Sequence, residues 1–349
     1  MKIEIVAFGP ETASREEWAR YHAYRRRRHG ETDPEDPIID DPSLEALWKR
    51  AGPQFVTSRF VVVKAGEPGT QIGHIEFNVF REGTPSYEGN EHLAQANLAL
   101  LRPYRRQGHG RELLAKVAQL ANAHGKSRLI GSSDEEDGKA FARALGAEIA
   151  LEGVENRLQL EAVDWEMVEA WAAEGPTRSP GSTIHWFTNH IDDALLQAYC
   201  TFYTEVFNQQ PFGLLDVKDL VFDSETFRDR EARVADVGGS WMTGMTTEGG
   251  GDISGMTEMF YLPDRKTMIG QGLTGVKEGC RGRGLGKWLK AAMLLRVRDE
   301  FPQVRVVQTG NATTNEAMLS INRRLGFERY REGENLQIPL EALEEYLAA

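Results

Sequence analysis

Arg281-Gly282-Arg283-Gly284-Leu285-Gly286 follows an apolar, strand-like run and opens an amphipathic helix. The same form, Arg-x-x-Gly-x-Gly, stands 176 residues earlier as Arg105-Arg106-Gln107-Gly108-His109-Gly110, in the same setting. Further on, Leu145-Gly146-Ala147 is answered by Leu325-Gly326-Phe327 at an offset of 180. Two landmarks at nearly one offset mark a duplicated domain. A Gly-rich loop between strand and helix is also a ready anion site, so the repeat bears on function.

Working outward from the loops, the first half reads as a strand over 1–7, a helix over 15–28 and a loop over 31–42. A strand pair follows, over 60–64 and 71–79, with Glu67-Pro68-Gly69 as its turn. A strand over 94–101 leads into the first loop, and Leu113, Leu114, Val117, Leu120 and Ala121 share one face of the helix after it. A strand over 127–131, a helix over 139–145 and a last strand pair over 147–151 and 156–160 complete this half. After a helix over 165–173, Glu174-Gly175-Pro176-Thr177-Arg178-Ser179-Pro180-Gly181 reads as a linker. The second half repeats the order: strand 183–187, helix 192–207, strands 254–262 and 267–276, a helix face of Leu285, Trp288, Leu289, Ala292 and Met293, strand 304–309 and helix 315–325. The expected boundaries are 1–172, a linker over 173–182, and 183–349. The fold class is α/β, each half a mixed, mostly antiparallel sheet flanked by helices.

With 349 residues, each half is long enough to bury its own core. There are 41 basic and 53 acidic residues, a net charge of −12, which argues against nucleic acid as a partner and favours a neutral or cationic substrate. Two cysteines, Cys200 and Cys280, are too few for a disulfide framework or a Cys-rich metal site, and no metal is expected. The N-terminus reads as a strand without a signal peptide's apolar stretch, and no run of about 18 apolar residues exists. A cytoplasmic protein without a membrane partner is the expectation, either a monomer (as an internal pseudo-dimer) or a homodimer.

Two familiar phosphate loops are excluded. The P-loop requires Gly-x-x-x-x-Gly-Lys-[Ser/Thr], whereas Gly286-Lys287 is followed by Trp288 and Arg281 stands where the first glycine is required. The dinucleotide fingerprint fails because Gly282, Gly284 and Gly286 alternate strictly. What remains is a pyrophosphate cradle. Glycines admit positive φ, so successive backbone N–H groups can turn toward one anion, and the helix N-terminus and flanking arginines add positive charge.

These residues resemble the GNAT superfamily of N-acyltransferases, whose acyl-CoA loop has the form [Gln/Arg]-x-x-Gly-x-[Gly/Ala]. The stretch 309–318, with Asn311 and Asn315, and the Leu325-Gly326-Phe327 ending resemble the family's next motif. In layout the chain is similar to mycothiol synthase, a tandem arrangement. The resemblance implies acetyl-CoA as acyl donor and direct attack on its thioester by a primary amine, here of a small molecule. The alternatives are a non-catalytic acyl-CoA-binding or sensor protein and a protein N-terminal or lysine acetyltransferase. It implies acyl-CoA contacts at Leu273, Thr274 and Val276, at Arg281, Gly282, Arg283, Gly284, Leu285 and Gly286, and at Asn311 and Asn315. The counterparts in the first half are Leu100, Arg105, Arg106, Gln107, Gly108, His109 and Gly110. There, Ser132 to Gly138 carries four acidic residues and no Asn-x-x-x-Asn, so the second half is expected to be catalytic. Glu258 is the candidate base. Asn322 stands where many members carry a general-acid tyrosine, with Tyr330 and Tyr261 as other options and His74 and Glu76 as a candidate pair in the first half. Trp241, Met242, Met245 and Met256 are read as pocket or core residues, and Pro34–Pro42 and Phe212–Phe227 as acceptor-pocket walls.

Overall fold

The computed structural model describes all residues, 1–349. In chain order the first elements are β1 (Ile3–Ala7), α1 (Arg15–Thr32), α2 (Asp41–Lys49), β2 (Phe55–Lys64), β3 (Glu67–Phe80) and β4 (Leu93–Leu100). They are followed by α3 (His109–Ala123), β5 (Arg128–Ser133), α4 (Glu136–Ala144), β6 (Glu148–Gln159) and α5 (Trp165–Arg178). Then come β7 (Thr183–Thr188), α6 (Asp193–Asn208), α7 (Ser224–Asp236), β8 (Ser240–Thr247), β9 (Ile253–Tyr261) and β10 (Met268–Val276). The chain ends with α8 (Leu285–Glu300), β11 (Val306–Ala312), α9 (Glu316–Leu325), β12 (Glu328–Pro339) and α10 (Leu340–Ala348).

Two compact units form, and neither is one continuous half of the chain. Unit 1 holds Met1–Leu151, Gly213–Lys218 and Glu334–Ala349; unit 2 holds Glu152–Phe212 and Asp219–Gly333. The sheet of unit 1 runs β1-β2-β3-β4-β5 and is completed by Glu334–Pro339 of β12, antiparallel to β5. The sheet of unit 2 runs β7-β8-β9-β10-β11 and is completed by Gly153–Gln159 of β6, antiparallel to β11. Each unit has one parallel pair, β4 with β5 and β10 with β11, in an otherwise antiparallel ladder. Unit 1 packs Ile72, Ile75, Leu113, Val117, Ile338 and Leu343 into its core; unit 2 packs Leu158, Val168, Met242, Leu294 and Val307.

The structure departs from the expected elements in several places, and α2, α7, β8, β12 and α10 were not among those expected. The turn between β2 and β3 is Ala65-Gly66, with Gly66 at φ +79°, and Glu67 already belongs to β3. The last strand pair of the first half is one strand, β6. Residues 174–178 of the expected linker are helical, because α5 continues through Pro176 to Arg178. The remainder folds onto the second loop, Ser179 Oγ donating to the Arg283 carbonyl at 3.1 Å. Of the two readings given for Trp241, Met242, Met245 and Met256, core is the one found: they lie in β8 and β9, fully buried.

Candidate functional site

The two loops have one backbone shape. A 3-10 turn precedes each, at Arg102–Tyr104 and Glu278–Cys280. Positive φ recurs at equivalent positions, +59° and +78° at Arg106 and Gly282, then +86° and +87° at Gly108 and Gly284. Arg106 is one of two non-glycine residues with positive φ, so the shape is kept in the first copy where the glycine is not. Gly108 and Gly284 are the N-caps of α3 and α8, with no side chain capping either helix. Free N–H groups and the helix dipole therefore face one point, which suits an anion. A Cβ on Gly108 or Gly282 would meet nothing within 4 Å, whereas one on Gly284 would meet Arg178.

The first arginine of each motif ties its loop to the preceding strand. Arg105 Nε donates to the Leu100 carbonyl at 3.0 Å, and Arg281 Nε to the Val276 carbonyl at 3.3 Å. The guanidinium of Arg105 is further paired with Glu135 at 3.0 Å and Asp137 at 3.1 Å. Arg281 also donates to Gln209, and Arg283 pairs with Glu248 at 3.0 Å. Arg178, whose Nε would lie 3.1 Å from a Cβ on Gly284, is the cation that stands over the second cradle.

In both units the parallel pair opens into a wedge. The β4–β5 ladder ends at Gln95 with Ile130, and the β10–β11 ladder at Gln271 with Thr309. Beyond these residues the strands share no ladder, leaving backbone groups of the strand before the loop free for an extended ligand. Only β10 is also bulged: between Gln271 and Thr274 two residues, Gly272 and Leu273, stand against one, Glu258 of β9. The β3–β4 register has no such shift.

Glu258 is 2% exposed and anchors this bulge. It accepts from Tyr203 Oη at 3.0 Å, Arg230 Nη1 at 2.9 Å, Trp241 Nε1 at 3.0 Å and the Leu273 N–H at 3.2 Å. A carboxylate has about four acceptor sites, so these donors occupy it fully. Arg230 is itself enclosed by the rings of Tyr203, Phe227, Trp241 and Phe260. The geometry thus makes Glu258 a structural anchor and leaves it no lone pair for an incoming amine. It also takes the Leu273 N–H, one of the expected acyl-CoA contacts.

Asn322 is 1% exposed and belongs to a buried polar network. Lys290 Nζ donates to its Oδ1 at 2.5 Å and to Gln271 Oε1 at 2.9 Å. The Asn322 amide donates to Asn311 Oδ1 at 2.8 Å. Gln271 Nε2 donates to Thr257 at 3.2 Å and Thr274 at 3.3 Å. The network therefore brings Thr274, Asn311 and Asn322 together at the wedge. Asn315 is the N-cap of α9, accepting from the Met318 N–H at 3.3 Å, so helix capping already employs it. Tyr261 sits at the other end of β9, where its hydroxyl accepts from Gln303 at 2.8 Å. Tyr330 is exposed and stacks on Arg157. Neither tyrosine reaches the wedge network.

Lys290 was not legible as a site residue, although one signal existed: it interrupts the apolar series Met293, Leu294, Val297 on its own face of α8. Burial brings its pKa down to about 7.

In unit 1 the wedge and loop line a cavity of about 500 Å³, bounded by Leu98, Leu100, Gly108, Ser133, Phe141 and Tyr346. Arg28, Arg105, Glu135 and Asp137 stand at it, with Arg28 paired to Glu135. His109 is buried, its Nδ1 meeting Glu112 at 2.9 Å, while Gln107 is exposed and donates to the Pro103 carbonyl at 2.8 Å. Gly110 lies against the Phe141 ring, 3.0 Å from where a Cβ would be. His74 is bonded to Tyr24 at 2.9 Å, and burial lowers it to about 4, so it is neutral at pH 7. Glu76 pairs with Arg59 at 3.0 Å.

Residues 18–147 match the model of the acetyltransferase (GNAT) family. Over those residues the chain is similar to the GNAT acetyltransferases. Among solved structures it is similar to a tandem GNAT protein from the clavulanic acid biosynthesis pathway, with TM-score 0.77, 21% identity, and 97% of this chain and 99% of that one covered. It is also similar to a GCN5-related N-acetyltransferase from Sphaerobacter thermophilus, with TM-score 0.63, 13% identity, and 97% and 96% covered. At these identities the likeness is one of fold, and it extends the GNAT architecture in tandem over nearly the whole chain. No curated protein gives a significant sequence match. The GNAT family match falls on the half whose acidic segment departs from the expected motif, so that departure has not erased the domain's character. No helix is long and apolar enough to cross a membrane.

Proposed function

We propose that the chain transfers an acetyl group from acetyl-CoA to the primary amine of a small molecule by direct attack on the thioester, at the wedge of unit 2. The observation that supports this reading is the bulge at Gly272–Leu273 beside a buried polar network. Unit 1 has an unshifted strand there, and Leu114 and Ala142 where unit 2 has Lys290 and Asn322. In this reading the loop Arg281–Gly286 and Arg178 hold the pyrophosphate. The backbone of Thr274 to Val276 holds the extended arm, and a backbone N–H of that strand meets the thioester oxygen as it gains charge. The amine sheds its proton to water, since Glu258 is already fully bonded.

A second reading has its own observation. The cavity of unit 1 reaches from its wedge to Gly108, which suits acyl-CoA held there without transfer. One pair of variants tests both. Gly284→Glu is expected to abolish thiol release across a panel of amines, and Gly108→Glu to preserve it while removing one of two acetyl-CoA binding events in calorimetry. Thiol release lost in Gly108→Glu and kept in Gly284→Glu would overturn the assignment of unit 2.

A further inference from the structure

Lys290 is a buried lysine without a counter-ion. It is 1% exposed on α8, and its Nζ is bonded to two amide oxygens, Gln271 Oε1 and Asn322 Oδ1. The charged group of the adjacent strand β9, Glu258, is already paired with Arg230. From β10 and α9 only the neutral Gln271 and Asn322 touch it, and the Phe327 ring lies 5.3 Å away. Burying an ammonium this way is costly, and a carboxylate within reach would relieve it cheaply. The arrangement instead leaves the charge at the head of the wedge, where the β10–β11 ladder ends at Gln271.

Lys290 also fixes the amide of Asn322. An ammonium only donates, so it holds Oδ1 toward itself and turns Nδ2 away. One N–H of that nitrogen goes to Asn311 Oδ1. The other has no partner in the protein. The equivalent pair in unit 1, Leu114 and Ala142, has neither charge nor amide, so the fold itself does not require them.

We propose that Lys290 is a positioning residue that stabilises the departing thiolate of CoA, acting through the oriented amide of Asn322. This rests on the reading that the thioester lies in the unit 2 wedge. In the step served, the amine nitrogen bonds to the acetyl carbon, and the C–S bond breaks with its electron pair on sulfur. The proton shed by the amine passes to that sulfur or to water. The anion missing from the environment of Lys290 is the one the reaction creates.

The test uses the full chain carrying Gly108→Glu, so that only the unit 2 site binds, and follows the ultraviolet absorption of the thiolate of bound CoA against pH. With Lys290 present the bound thiol is expected to titrate about one unit or more below free CoA. In Lys290→Met the titration should return to that of free CoA. In turnover, Lys290→Met should lower kcat about tenfold to a hundredfold, with KM for acetyl-CoA held within about twofold. The double variant Lys290→Leu, Asn322→Ala reproduces the pair that unit 1 already accommodates, and guards against a folding defect in Lys290→Met. An unchanged thiol titration in both variants would overturn the proposal. Failure of CoA to bind the Gly108→Glu protein would instead overturn the unit 2 assignment, and this proposal with it.

Discussion

At the scale of single residues, Lys290 makes a claim on stability as well as chemistry. Its folded pKa is near 7, and that of an exposed lysine near 10.5. Between these values the unfolded chain binds one more proton than the native one, so stability rises with pH across that window. The cost of the buried charge is fully present below about pH 7 and is relieved as pH approaches 10.5. At about 1.4 kcal/mol per unit, the full window is worth up to about 5 kcal/mol. Lys290→Met removes the charge and keeps the bulk, so it should stabilise unit 2, more at pH 6.5 than at pH 9.5. Urea unfolding at both pH values reads this directly. A variant less stable than wild type at pH 6.5 would mean that the hydrogen bonds to Gln271 and Asn322 outweigh the burial of the charge. Glu258 teaches the complementary lesson. The residue type and strand suggested a base, but a side chain's freedom to accept a proton depends on partners distant in sequence, here Tyr203, Arg230 and Trp241.

At the scale of elements, α5 shows how packing overrides a local signal. Gly175-Pro176 reads as a helix breaker, yet the helix runs on to Arg178. Gly175 is buried against Trp288 of α8, and a Cβ there would lie 2.2 Å from the indole. The bare backbone is what lets α5 lie on α8. Gly175→Ala should therefore destabilise unit 2 by about 1–3 kcal/mol, through overpacking. Gly30 in α1 is the control, since a Cβ there meets nothing within 4 Å. Gly30→Ala should gain about 0.5–1 kcal/mol from helix propensity alone. Equal gains at both sites in thermal unfolding would refute the packing argument. The same contrast explains what was legible in the chain. The loops, their helices and the strands before them were readable because glycine placement and apolar period are local properties. The helix α7 was missed because Ser224–Asp236 is dominated by charge and buries only Phe227 and Val234. The bulge in β10 and the Lys290 network were missed because they exist only once β9, β10, α8 and α9 are brought together.

At the scale of the whole molecule, the repeat at offset 176 suggested two domains laid end to end, cut near residue 172. The chain instead exchanges its last strands. Glu334–Pro339 pairs with β5 in unit 1, while Gly153–Gln159 pairs with β11 in unit 2. A strand's sequence fixes which of its faces is buried but does not name its neighbour, so this exchange leaves no local trace. Ile338, Leu340 and Leu343 enter the core of unit 1 from the far end of the chain. Gly213–Lys218 adds to the same unit, Asp216 meeting Arg128 at 2.8 Å and His92 at 3.1 Å. A fragment ending at residue 172 would thus leave the edge of β5 unpaired and open the core beside Leu113 and Ile75. It should be insoluble or lack a cooperative thermal transition. Joining residues 334–349 to its end through a flexible linker should restore cooperative unfolding, because the missing strand and α10 are then supplied. The matching fragment 183–349 should fail as well, since β11 loses Gly153–Gln159, and should recover when residues 152–182 are kept. Cooperative folding of 1–172 alone, seen by circular dichroism and amide exchange protection of Arg128–Ser133, would show that the exchanged strand is dispensable to unit 1.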